Sequence, residues 1–111
     1  MEERRKSPRF KVRVETQLAL GAERFKGLLK DLCRDAALVE VDRDVPVGSE
    51  LALVLELPGT GGPLQVVGTV VRQAQAPGEH GQDVAILFTD VTPAAETRID
   101  FFVTLQTPTV L

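Results

Sequence analysis

Two arginines at four-residue spacing are the part of this sequence best suited to chemistry. The stretch RRKSPR occupies positions 4–9 and sets Arg5 and Arg9 four residues apart, with Arg4 and Lys6 beside them. A guanidinium is a planar fork of N–H donors. It binds phosphate oxygens bidentately, matches the O6/N7 edge of guanine and stacks on flat rings. Residues 1–13 hold six cations (Arg4, Arg5, Lys6, Arg9, Lys11, Arg13) against two acids (Glu2, Glu3), a net charge of +4. Residues 14–111 hold seven cations against fourteen acids, a net of −7, so the formal charge of −3 conceals a cationic arm on an acidic body. That asymmetry suits a local anionic ligand. It does not suit a nucleic-acid surface, which needs a basic face across the domain. The bland alternative is a solvated charged arm.

Other chemistry finds little support. His80 is the sole histidine and sits in the Gly/Pro-rich stretch APGEHGQ, where it reads as a solvated loop residue. A nucleophile therefore lacks a base, and no enzyme is expected. Cys33 is the lone cysteine, so neither an intramolecular disulfide nor a structural zinc site can form, and no metal site is expected. Asp42 and Asp44 fall in a turn, where Asp is favoured for backbone reasons. GTGG at 59–62 lacks the Lys-Ser/Thr continuation of a phosphate-binding loop. There is no apolar run long enough to span a bilayer and the first residues are too charged for a secretory signal, so the expectation is a cytoplasmic chain without membrane insertion.

The elements that would position these residues are mostly strands. From Phe10, the residues Phe10, Val12, Val14, Thr16, Leu18 and Leu20 alternate with Lys11, Arg13, Glu15 and Gln17, which predicts a half-buried strand. A second strand follows at 24–31, with Gly27 marking a bulge or a close approach, then AALVEV at 36–41. ELALVLEL (50–57) places Leu51, Leu53, Leu55 and Leu57 on one face; strands are also predicted at 64–75, with Gly68 a bend, and at 83–88. Thr92 and Pro93 form a helix N-cap and first turn, and Ile99, Phe102 and Val103 fall at helical spacing as far as about Thr104. Six short strands and one helix predict a mainly β fold, a small antiparallel barrel with a C-terminal α-helix over one end or face. The expected organisation is a flexible cationic arm at 1–9, the barrel and helix at 10–104, and a frayed tail at 105–111. Single-strand nucleic-acid binders use aromatic platforms. The chain has five Phe and neither Trp nor Tyr, and Phe25, Phe88, Phe101 and Phe102 are assigned to the core, so no DNA or RNA partner is expected.

The order of these features resembles the PilZ domain family, bacterial receptors for cyclic di-GMP. The resemblance runs from Arg4 to about Val103. Arg5-x-x-x-Arg9 precedes the first strand, and Asp31-Leu32-Cys33-Arg34-Asp35-Ala36 ends the second. Then come AALVEV, PVGSELALVLELP, GTVVR, a strand ending in Phe88, and a helix. The family signature is Arg-x-x-x-Arg followed by Asp/Asn-x-Ser-x-x-Gly, and its fold is a six-stranded β-barrel with a C-terminal helix. The resemblance implies that Arg5 and Arg9, with Arg4 adding a contact, clasp the phosphates and guanines of cyclic di-GMP. It implies that Asp31 accepts guanine N–H groups, and that Cys33 and Ala36 stand where the family has Ser and Gly. No cofactor is implied; the nucleotide is a ligand.

Those two positions depart from the pattern, as does Ala85-Ile86-Leu87-Phe88, where members often carry Gly-Val-Arg-Phe. A thiol is a weak hydrogen-bond partner, and Ala tolerates a left-handed conformation or a close approach poorly. Together the losses amount to roughly 2–3 kcal/mol, or one to two orders of magnitude in affinity. Two functions follow. The first is a single-domain adaptor that binds cyclic di-GMP and passes the signal to a protein partner controlling motility, pili or polysaccharide. The second is a degenerate PilZ domain that binds no nucleotide and acts through protein contacts alone. In either case the C-terminal helix offers a surface for self-association.

Overall fold

The computed structural model describes residues 10–57, 59, 61–75 and 81–106. Six strands, β1 (Phe10–Leu20), β2 (Glu23–Leu32), β3 (Ala36–Val41), β4 (Glu50–Leu55), β5 (Leu64–Gln75) and β6 (Gln82–Asp90), precede one helix, α1 (Pro93–Gln106). The strands close into an antiparallel barrel in the order β1-β2-β3-β6-β5-β4. Closure leaves no unpaired sheet edge.

Alternation along each strand builds the core. Leu51, Leu53 and Leu55 of β4 are fully buried together with Leu29, Val39, Val66, Val70 and Ile86; each contributes about 1.5–3 kcal/mol of transfer free energy. Thr16 is the polar residue on the inner face of β1, 1% exposed, and its hydroxyl donates to the Val54 carbonyl at 2.7 Å. Burying a hydroxyl is tolerated because it is bonded. Leu57 lies beyond the observed end of β4 yet stays buried, so the apolar period outlasts the ladder.

The glycines in strands answer to packing. A Cβ at Gly27 would stand 2.8 Å from Val39 Cγ1 and 2.9 Å from the Glu40 carbonyl oxygen, so Gly27 marks a close approach. The bulge of β2 lies three residues further on, between Leu29 and Asp31. Gly68 sits where the β5–β6 register slips between Val67 and Gly68.

The helix starts as expected. The Thr92 hydroxyl accepts from the Ala95 N–H at 3.1 Å, which caps the first turn. Ala95, Ile99, Phe102 and Val103 join the barrel core. The helix ends at Gln106, two residues past Thr104. One aromatic assignment is corrected: Phe101 is 52% exposed, because at helical pitch it faces away from the stripe formed by Ile99, Phe102 and Val103.

Candidate functional site

Strand pairing sets the start of β1 beside the second half of the sequence signature. Phe10 pairs with Leu32 and Lys11 with Asp31. The polypeptide therefore enters the barrel beside the Asp31–Ala36 segment. Arg4, Arg5 and Arg9 lie outside the described residues, as do Lys6, His80 and residues 107–111.

Between β2 and β3 the chain turns tightly. The Cys33 N–H donates to the Ala36 carbonyl at 2.9 Å, and the Phe88 N–H of β6 donates to the Asp35 carbonyl at 2.8 Å. Asp31 is 8% exposed and Cys33 is 4% exposed, with its thiol free. Ala36 is half-buried. Among the described residues every positive φ belongs to a glycine. Ala36 therefore closes this turn with ordinary backbone geometry, and no strain attaches to it. Arg34, on the outside of the turn, pairs with Asp100 of α1 at 3.4 Å.

An open groove of about 430 Å³ lies on the outside of the barrel against this segment, lined by Val12, Arg13, Lys30, Asp31, Leu38 and Asp83. Val12 and Leu38 are apolar, and the other four lining residues are charged. Lys30 donates to both carboxylate oxygens of Asp83, at 3.1 and 3.0 Å, and lies 3.6 Å from Glu40. The hydrogen bonds from Lys30 to Asp83 hold the ammonium charged and raise its pKa above the ordinary lysine value, against the opposing effect of burial; the charges of Asp83 and Glu40 add to the rise. A second, wider groove of about 590 Å³ adjoins it and shares Arg13. Among the described residues no group of three or more His, Cys, Asp or Glu side chains could hold a metal ion.

The chain matches the family model for the PilZ domain over residues 3–105. It belongs to the PilZ domain family. Solved structures share the fold. The Bacillus subtilis inhibitor of motility (MotI/DgrA) superposes with a TM-score of 0.80 at 15% identity, covering 95% of this chain and 52% of that one. The K. pneumonia MrkH–c-di-GMP complex gives 0.76 at 15% identity, covering 93% and 51%. The PilZ domain with c-di-GMP of YcgR from Escherichia coli gives 0.71 at 15% identity, covering 94% and 92%. The chain thus spans about half the length of the first two and nearly all of the isolated YcgR domain. No curated protein matches it in sequence. PilZ domains are ligand-binding adaptor and receptor domains rather than enzymes.

Within this PilZ fold the departures from the family signature sit together. Ala36 pairs with Leu87 across β3 and β6, and Leu38 pairs with Ala85 two residues along. Leu87 is 46% exposed. The altered strand β6 and the altered turn are thus one apolar spot on the barrel wall, beside the groove that holds Asp31. The groove also contains residues that reasoning from motifs missed: Val12, Arg13, Lys30, Leu38 and Asp83. The alternation of β1 already placed Arg13 on the outer face. Nothing in the spacing of Lys30 and Asp83, 53 residues apart, indicated their meeting, which depends on β3 lying between β2 and β6.

Proposed function

We propose that this PilZ domain is a receptor for cyclic di-GMP in which Arg5 and Arg9, aided by Arg4, close over a nucleotide held against Asp31 and the turn to Ala36. The pairing of Phe10 with Leu32 is the observation that carries the reading. An extended chain covers at most about 3.5 Å per residue, so Arg9 is tethered within one residue of Phe10 and Arg5 within about 17 Å. Val12, two residues into β1, already lines the groove. Guanidinium forks on a tether that short can reach a dianionic ligand lying there. Asp31 supplies a carboxylate for guanine N–H groups. Two of the similar structures, MrkH and the YcgR domain, are complexes with c-di-GMP.

Output would pass to a protein partner. The Arg34–Asp100 pair links the ligand-binding turn to α1, next to exposed Phe101. That helix face is also where self-association would occur. The similarity to an inhibitor of motility fits a motility output.

A specific observation favours the second reading, a domain that works through protein contacts alone. Cys33 is buried and the Ala36–Leu87 spot is apolar, so the turn offers the ligand fewer polar contacts than the family signature. Isothermal titration with cyclic di-GMP separates the two. The receptor reading expects saturable binding in the low micromolar range, lost in an Arg5→Ala/Arg9→Ala variant. Absence of heat at millimolar ligand, from protein shown to be folded, sinks it.

A further inference from the structure

Two irregularities in neighbouring strands fall at one point. In the β1–β2 ladder Lys11 pairs with Asp31 and Val14 with Leu29, so Val12 and Arg13 stand against the single residue Lys30. In the β2–β3 ladder Leu29 pairs with Val39 and Asp31 with Leu38, so Lys30 is again the displaced residue. Bulges bend strands, re-aim side chains and concentrate beside binding sites. This pair brings Arg13 and Lys30 to the groove that contains Asp31.

The two cations differ in what they have left to offer. Lys30 is neutralised by Asp83 and Glu40. Arg13 is exposed, and among the described residues no hydrogen bond or ion pair engages it. Its whole charge remains for a ligand. It also lines both grooves, the one with Asp31 and the one with Glu40 and Asp42. A cation with no partner among the described residues, shared by two open grooves, suits an anionic ligand that lies across both.

We propose that Arg13 is a further guanidinium of the ligand site, anchored on the barrel wall rather than on the arm, and that it binds a phosphodiester of cyclic di-GMP. The proposal rests on the receptor reading above. An arginine on a strand is held at its backbone before the ligand arrives, so it loses little backbone freedom on binding. Arg13 thereby sets where the phosphates sit.

Titration calorimetry on the full chain tests this, with cyclic di-GMP as the probe. Arg13→Gln is expected to weaken binding by roughly tenfold and Arg13→Lys by about threefold, because a charge-assisted fork is replaced first by nothing and then by a point charge. Arg24→Gln is the control: Arg24 is an exposed arginine at the far end of β2 that lines neither groove, and it should bind as wild type. Thermal melts should be unchanged in all three, since both arginines are exposed. If Arg13→Gln binds as tightly as wild type while Arg5→Ala/Arg9→Ala loses binding, the proposal is overturned and the receptor reading stands. Equal weakening by Arg13→Gln and Arg24→Gln overturns it too, as a general charge effect. A wild-type protein that binds no cyclic di-GMP overturns both.

Discussion

Lys30 lies between two carboxylates, and its charge state ties stability to pH. The pKa of the folded-state ammonium lies above its unfolded value, which is about 10.4, because Asp83 and then Glu40 favour the charged form. A raised lysine pKa stabilises the fold fully below the unfolded value, and this stabilisation is lost as pH climbs through the folded one. Lys30→Met should therefore cost about 1 kcal/mol at pH 7, a partly exposed charge-assisted pair discounted for solvent. Urea melts of both proteins should differ by that amount at neutral pH and converge as pH climbs through the raised folded-state value. A gap that persisted unchanged at high pH would mean that Lys30 acts through packing of its stem and not through its charge. The same scale revises the cost assigned to the signature departures. Ala36 has no positive φ, so part of the 2–3 kcal/mol expected from sequence falls away. What remains is the missing Ser hydroxyl at buried Cys33 and the apolar contact of Ala36 with Leu87.

Among the elements, the β5–β6 ladder is the one whose geometry a single methyl group should break. A Cβ at Gly68 would lie 2.5 Å from Ile86 Cγ2 and 2.7 Å from the Leu87 carbonyl oxygen. One neighbour is core and the other is backbone, so neither can yield without moving the strand that carries the apolar spot at Leu87. Gly68→Ala should destabilise by about 2–3 kcal/mol, in the range of overpacked cores, and denaturant unfolding measures it; a loss below about 0.5 kcal/mol would show that β6 shifts freely. How much of this architecture was legible beforehand follows the same logic. Period-two alternation identified β1 and β4, and the turn signals between short apolar runs marked off the other four strands. The N-cap at Thr92 and the stripe of Ile99, Phe102 and Val103 gave the helix, since capping and helical pitch are local rules. Phe101 was misplaced because aromatic character was weighed above helical phase. The groove was illegible for a different reason. Its shape depends on two bulges at Lys30, and nothing in FKVRV or LLKDL distinguishes a bulged strand from a regular one. Asp31 was found through its motif, whereas Asp83 has none and is placed only by barrel closure.

For the whole molecule, the decisive quantity is how its charge is distributed around the ligand. The chain carries −3 overall, yet the first thirteen residues carry +4 and the remainder −7. Cyclic di-GMP is a dianion. On the proposed receptor reading it meets a net repulsive field at long range, and an attractive one within a few ångströms of Arg5, Arg9 and Arg13. Screening separates these two ranges, because the Debye length is about 8 Å at physiological ionic strength and about 30 Å at 0.01 M. Raising salt weakens the repulsion of the acidic body first, while the contact-range hydrogen bonds proposed for the arginines would be screened much less. The association rate should therefore change by less than about twofold between 20 and 200 mM salt, or rise slightly, and the dissociation rate should carry most of any affinity loss. Stopped-flow binding at the two salt concentrations reads both. A steep fall in association rate, the behaviour of a cleft that steers its ligand from a distance, would mean that the cationic arm dominates the outer field. The acidic body would then play no part in the ligand's approach.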